Sequence, residues 1–277
     1  MGMRINTNMA SVNAQRSLRN TQSKLQGNFE KFASGQRINK SADDAAGLAI
    51  SANLTGHIKS YGQAGRNAQD GISFIQVAEG GMNEVSNMIS RLRELSVQAA
   101  SDTIGKEERV YLDNEAQQLK LEVERIAQGT EYNGMNLLNG AGNQLDFQIG
   151  TGNNEFLDRI SYDPGKTNVS LASLGLDAID ISNKESAQTG LDKIDGSIST
   201  LNANRATLGA LQNRLVSTIS NNEIAIENFS AARSRILDAD MASVSADLTR
   251  ETVKTQASTS VLAQANQTTS MALKLIG

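Results

Sequence analysis

The sequence predicts a mainly α protein, a long antiparallel helical bundle or coiled coil with a small β-hairpin region. Three observations predict it. A single proline, Pro164, interrupts 277 residues, and it lies mid-chain, so the commonest breaker of helix interiors is missing from both ends. Towards each end, apolar residues recur at steps of three and four, the seam spacing of a coiled coil. Between the two, Leu145, Phe147 and Ile149 alternate with polar residues, the period of a half-buried strand.

In the first helical segment Leu18, Leu25 and Phe32 stand seven apart and Phe29 fills the intermediate position, while Met9 and Val12 continue the face upstream, out of strict register. Ser34–Ser51 follows, reading SGQRINKSADDAAGLAIS. There Ser41 with Asp44 reads as a capping-box-like helix start, and Asp43 and Asp44 complement the positive end of the helix dipole. The stretch from Ser41 to about Ala100 carries Gly47, Gly56, Gly62, Gly65, Gly71, Gly80 and Gly81. Each costs about 1 kcal/mol relative to Ala in a helix interior. Such a helix needs close neighbours, and Gly80–Gly81 marks a break. Val85, Ile89, Leu92 and Ala99 then form a seam. Ser101–Gly105 is a turn. Leu112, Ala116, Leu119, Val123 and Ile126 step by four and three in a second seam.

The middle changes period. Asn133-Gly134 and Asn139-Gly140 are turn signals, and a β-hairpin is expected near 143–163, its second strand running from Phe156 to Tyr162. The last long helix is expected from about Thr200 to Leu237, about 57 Å at about 1.5 Å per residue. Leu208, Leu211, Leu215, Thr218, Asn222, Ala225, Phe229, Ala232 and Ile236 share one heptad register, and Ile219 and Ile226 widen the stripe beyond what one partner covers. Asn222 is a polar intrusion on the seam that sets register with a partner Asn or Gln or else faces water. From Thr255 onward the only charged side chain is Lys274. That segment is too polar for a core of its own and too uncharged for a permanently exposed helix. Leu262 is a candidate packing residue within it.

Composition excludes several classes. With no Cys there are no disulfides or thiolate metal sites. One histidine, His57, rules out paired-His zinc sites, so no metal and no cofactor are expected. There is no P-loop, and no catalytic residues are expected. A net charge of −4 with scattered Arg and Lys gives no nucleic-acid footprint. No apolar run approaches a membrane span, and the N-terminal MGMRINTNMASVNAQ lacks the apolar region of a signal peptide.

Several of these runs resemble bacterial flagellin. SGQRINKSADDAAGLAIS (34–51) is similar to the family's SGxRINxAxDDAAGLAIS, with Gln36 where Leu is usual. SRLRELSVQAA (90–100) resembles QRxRELxVQAA, and TEYNGMNLL (130–138) resembles TEFNGxxLL. ARSRILDADMA (232–242) resembles ARSRIxDADxA, and TSVLAQANQ (259–267) matches as it stands. Val244 and the final TTSMALKLIG depart from the usual wording. The resemblance implies a minimal flagellin without a large variable outer domain: a secreted subunit that self-polymerises into a hollow helical filament for swimming. Residues 1–40 and 240–277 would pair as an inner filament layer around the channel, and 41–239 would form the helical core domain with the hairpin. Implied partners are copies of itself, the flagellar type III export apparatus, an export chaperone, and the filament cap and junction proteins. The vertebrate Toll-like receptor for flagellin would be met through Arg91 and Leu95, with Glu115 on the neighbouring helix. The alternatives are a hook–filament junction protein of the same superfamily and a coiled-coil surface adhesin. Leu18, Leu25, Phe29, Phe32, Ile219, Ile226 and Leu262 are the expected assembly residues. Neither end has enough large apolar side chains to offset its ordering cost alone, so both are expected to fold only on polymerisation.

Overall fold

In a computed structural model, which describes residues 7–274, the chain is helical at both ends with small strands between. Helix α1 spans Met9–Ser34, α2 Ala45–Ala99 and α3 Lys106–Gly129. Two short antiparallel pairs follow: β1 (Glu131–Tyr132) with β2 (Met135–Asn136), and β3 (Leu145–Gln148) with β4 (Arg159–Tyr162). A one-turn helix α4 (Glu155–Asp158) sits in the β3–β4 connection. After a 3₁₀ turn at Pro164–Thr167 come α5 (Leu171–Leu174), α6 (Lys184–Leu237) and α7 (Met241–Lys274). The fold class is the mainly α, antiparallel helical one.

Packing divides the chain into two units. One comprises the described residues up to Gly56 and from Asn228 onward, and the other is His57–Glu227. Helices α2 and α6 contribute residues to both.

The His57–Glu227 unit holds the continuous hydrophobic core. Its part of α2 presents Ala64, Ala68, Ile75, Ala78, Met82, Val85, Ile89, Leu92 and Ala99 inward, all buried, in an almost unbroken three–four register. Gly71 faces Leu215 while Arg93 pairs with Asp195, so α2 and α6 run antiparallel. Arg91 pairs with Glu115 and Gly81 faces Thr130, so α3 returns antiparallel along α2. The two small sheets meet α2 at an aromatic cluster. Phe74 stands edge-on to Tyr132, Phe147 and Tyr162, with ring centroids 5.6, 5.6 and 4.9 Å away, the arrangement favoured by the ring quadrupoles. The Tyr162 hydroxyl donates to the Leu137 carbonyl at 2.7 Å, and burial pushes its pKa up.

The turn signals hold. Asn133 (φ 49) and Gly134 (φ 76) form the two-residue loop of the β1–β2 hairpin, the positive-φ pair that suits strand twist. Gly140 also lies at positive φ.

Five expectations are corrected. Helix α2 has no break at Gly80–Gly81. Gly81 lies where an added Cβ would stand 2.7 Å from both the Leu138 and Thr130 side chains, so the glycine serves close packing of a continuous helix. The start of α2 is capped by Asp44 rather than Ser41: its carboxylate accepts from the Gly47 N–H at 2.9 Å. Phe156 belongs to α4, not to a strand. Helix α6 begins at Lys184, not near Thr200, making it about 81 Å long at about 1.5 Å per residue. Its buried seam runs Ala187, Gly190, Ile194, Ser197, Leu201, Leu208, Leu211, Leu215 and Asn222. The early half escaped an apolar-period reading because small and polar residues occupy it. Each polar one is tied to a backbone carbonyl. Ser197 donates to Leu174 O at 2.6 Å, Asn204 to Asn168 O at 3.3 Å, and Asn222 to Ile149 O at 3.1 Å. Asn222 therefore fixes α6 against the hairpin, rather than meeting another Asn or Gln or water.

Replacing Asn222 with Leu leaves the Ile149 carbonyl buried without its donor. Asn222→Leu is expected to lower the stability of this unit by about 1–3 kcal/mol. The urea midpoint, followed by the signal of Tyr132 and Tyr162, checks this, and an unchanged midpoint would show that the bond carries no net stability.

Candidate assembly surfaces

In the end unit α1 and α7 pack against each other, antiparallel. Asn8 caps α1 by accepting from the Ser11 N–H at 3.2 Å and donates from Nδ2 to Ala265 O at 2.8 Å. Ser11 donates to the Asn266 side chain at 3.1 Å. At the other end of α1, Gly35 (φ 68) closes the helix in the left-handed conformation that glycine adopts freely.

The segment after Gly35 closes the end of α6. The Arg37 N–H donates to Leu237 O and its guanidinium to Ile236 O, both at 2.7 Å. These carbonyls are among the four that a helix C-terminus leaves without partners, and a cation complements the dipole there. The Ala239 N–H donates to Gly35 O at 2.9 Å, and Asp240 starts α7 by accepting from the Ala242 N–H at 3.0 Å. The two motif words SGQRIN and ILDAD are thus one construction: each end of the chain terminates or starts the other's helix. Asp43 folds the next turn, its carboxylate accepting from the Asn39 and Lys40 N–H groups at 3.0 Å each. Those bonds hold the Asp43 carboxyl below the usual aspartate range.

Among its described residues this unit has no core of its own. Those that are buried and apolar are Ala14, Ile38 and Ala265; every member of the continuous core lies in the other unit. Large apolar side chains stand outward instead: Met9 (60%), Val12 (51%), Phe29 (52%), Phe32 (44%), Val253 (58%) and Val261 (58%). A groove of about 460 Å³ runs between α1 and α7, walled by small residues such as Ala10, Ala14, Ser17, Ala257 and Ser258.

The expected assembly residues divide accordingly. Phe29 and Phe32 are exposed, while Leu18, Leu25, Leu262 and Ile226 are half-buried. Ile219 is also half-buried and packs against the core cluster. Met9, Val12, Val253 and Val261 join the exposed set although they keep no strict register. Of the expected receptor contacts, Arg91 and Glu115 stand together at the surface, with Arg91 Nε and Nη2 donating to Glu115 Oε1 at 3.1 and 2.9 Å. Leu95 is 1% exposed and offers no surface for an approaching partner; it serves the core. Among the described residues no three His, Cys, Asp or Glu side chains gather as a metal site would require. No described helix is long and apolar enough to cross a membrane.

Comparison with known proteins covers the same two ends. Residues 5–143 match the model for the bacterial flagellin N-terminal helical region, and 191–276 that for the C-terminal helical region. The chain is 41% identical to the flagellin of Halalkalibacterium halodurans over 99% of this chain and all of that one. It is 40% identical to the flagellar filament 33 kDa core protein of Treponema phagedenis, over 99% and 100% of the two. Among solved structures, Bacillus cereus flagellin aligns at a TM-score of 0.50 and 29% identity, covering 57% of this chain and 88% of that one. A putative flagellar hook-associated protein from Vibrio parahaemolyticus aligns at 0.58 and 12% identity over 71% of this chain and all of that one, a likeness of fold alone.

The Asp43 turn gives the end unit an acid dependence of known sign. A carboxyl held below its unfolded value near about 3.9 contributes stability that is full above that pH and is lost as pH falls through the lower folded value. Hydrogen exchange at the Asn39 and Lys40 amides, corrected for intrinsic rates, is expected to accelerate below pH ~4, and Asp43→Asn to remove that acid-specific step. The same acid response in Asp43→Asn would assign it elsewhere.

Proposed function

The chain belongs to the bacterial flagellin family and is a structural subunit of the flagellar filament, and on that premise we propose how it assembles. Helices α1 and α7 order side by side with those of neighbouring copies and form the inner layer of a hollow polymer. Family members self-polymerise, so the chain's partner is first of all itself, and its place is the extracellular filament. The family is structural rather than enzymatic.

One observation carries this reading: among its described residues the end unit exposes several large apolar side chains and buries almost none. Two helices packed on one another share a single seam, and the remaining faces stay in water unless further helices cover them. Contacts between unlike faces of identical copies generate an open helical polymer when the rotation between copies does not close a ring. An end unit that depends on neighbours also suits export as an unfolded chain. We therefore extend the proposal to the flagellar type III apparatus and an export chaperone, and to capping and junction proteins at the filament's ends.

Concentrated full-length chain is expected to form long filaments visible by negative stain. Replacing Phe29 and Phe32 together with Ser is expected to raise the critical concentration on the order of tenfold or more, the effect of losing apolar anchors, while helix content of the core is kept. An unchanged critical concentration would remove these two rings from the interface.

A further inference from the structure

Two Asn-Gly pairs, Asn133-Gly134 and Asn139-Gly140, lie between α3 and β3. Such a pair carries a latent reaction. The glycine nitrogen attacks the side-chain carboxamide before it, and glycine, lacking a Cβ, leaves that approach open. The fold treats the two pairs differently.

At Asn133 the backbone opposes the attack. This residue occupies the tip of the β1–β2 hairpin at φ 49, the left-handed conformation that the two-residue loop requires. Strand pairing of Tyr132 with Met135 and of Glu131 with Asn136 holds it there, and the Leu137 N–H donates to Thr130 O at 3.0 Å just beyond. Bringing the Asn133 Cγ onto the Gly134 nitrogen needs the backbone to leave that conformation.

At Asn139 the attack is prepared. Its Oδ1 accepts from the Ala141 N–H at 2.9 Å, an Asx turn that folds the carboxamide forward over the Gly140 nitrogen. The same N–H is aimed at the oxygen on which negative charge develops as that nitrogen adds to Cγ. Gly140 lies at φ 72, and an added Cβ there would stand 2.4 Å from Asn168 Nδ2. Asn168 is itself held. Its Oδ1 accepts from the Ser170 N–H at 2.9 Å and its carbonyl from Asn204 Nδ2 at 3.3 Å. Position 140 therefore takes glycine, and the fold preserves the reactive pair. Leu138, on the other side, is fully buried, and its carbonyl accepts from the Val169 N–H at 2.9 Å. Asn139 and Gly140 are partly exposed, so water reaches them. A nucleophile already held against its electrophile gives up little further freedom on reacting.

We propose that Asn139 is a self-modification site, whose carboxamide closes onto the Gly140 nitrogen in the folded chain and is converted to a carboxylate. The Gly140 N–H gives its proton to hydroxide or water, and its nitrogen bonds to Asn139 Cγ. The Cγ–Nδ2 bond breaks, and Nδ2 takes a proton from solvent and leaves as ammonia. Water then opens the cyclic imide. Breaking the new bond to Cγ yields aspartate, and breaking the old main-chain bond yields isoaspartate. No oxidant, enzyme or second subunit takes part, so the proposal goes beyond the filament reading and does not depend on it. Aspartate keeps the turn, because a carboxylate also accepts from the Ala141 N–H. Isoaspartate inserts a further carbon between the anchored Leu138 and Gly140. Either product adds one negative charge, and a subunit that is not replaced thereby records its age.

The intact chain is incubated in mildly alkaline buffer, folded and in urea, and sampled over days. Digestion and electron-transfer fragmentation locate each amide-to-acid change and separate isoaspartate from aspartate. In the folded chain Asn139 is expected to convert faster than Asn133 by on the order of tenfold, a small difference in barrier. In urea the two rates are expected to converge, since both residues precede glycine. Equal rates in the folded chain, faster conversion at Asn133, or an Asn139 that reacts only in urea overturn the proposal. A preference that persists undiminished in urea overturns it too, because local sequence rather than the fold would then set the rate.

Discussion

Two helices can cover only one side of each other. The end unit is built under that constraint, and much else in the chain follows from it. Ordering a residue costs roughly 1–2 kcal/mol in backbone entropy, and burial of apolar surface has to offset it. In α1 and α7 the seam between the helices is narrow and made of small residues, Ala14 and Ala265 among them, with Asn8 and Ser11 hydrogen-bonded across it. The large side chains that would supply the burial face outward. On the proposed assembly, neighbouring subunits would complete this unit, and its assembly and its folding would become one equilibrium.

The core unit meets the opposite condition. Its seams on α2, α3 and α6 interlock, and their members are covered within one chain. Where polar residues enter those seams they are matched to backbone carbonyls, Ser96 to that of Leu92 in its own helix and others to carbonyls of the irregular region. Lys120 is buried and donates to the carbonyls of Asp177 and Ile179 at 2.8 and 3.0 Å, and Ser197 and Asn222 do the same from α6. These bonds pin the non-helical middle of the chain onto long helices and fix their register. A self-supporting core unit and an end unit short of burial are the two parts a polymer subunit needs: one keeps its own fold while the other is left to join copies together.

Sequence reading found what period and inventory encode. The fold class, the seam through Leu112, Ala116, Leu119, Val123 and Ile126, the Asn133-Gly134 turn and the weak faces of both ends followed from spacing and side-chain chemistry. It went astray where tertiary contacts decide. The early half of α6 was invisible because Gly190, Ser197 and Asn204 hold seam positions through close approach and hydrogen bonds, not through apolar bulk. Gly80–Gly81 looked like a break because the Leu138 and Thr130 side chains that require Gly81 come from residues distant in sequence. Leu95 looked available because a motif says nothing about burial. The exposed Phe156–Leu157 pair was hidden inside an expected strand, although Asn154, a strong helix cap, stood just before it as a usable signal. Arg37's hold on the last carbonyls of α6 had no local signal, since its partners lie some two hundred residues on.

The central claim is that the end unit is held folded by its neighbours and the core unit by itself. Hydrogen exchange on the intact chain, free and polymerised, tests it most directly. Amides of α1 and α7, such as those of Leu25, Leu262 and Ala265, are expected to exchange at nearly unprotected rates in the monomer and to become strongly protected in the filament. Amides of the α2 seam from Ile75 to Leu92 are expected to be protected in both. Strong protection of Leu262 and Ala265 in the free monomer would contradict the account, because it would show the paired ends folded without neighbours.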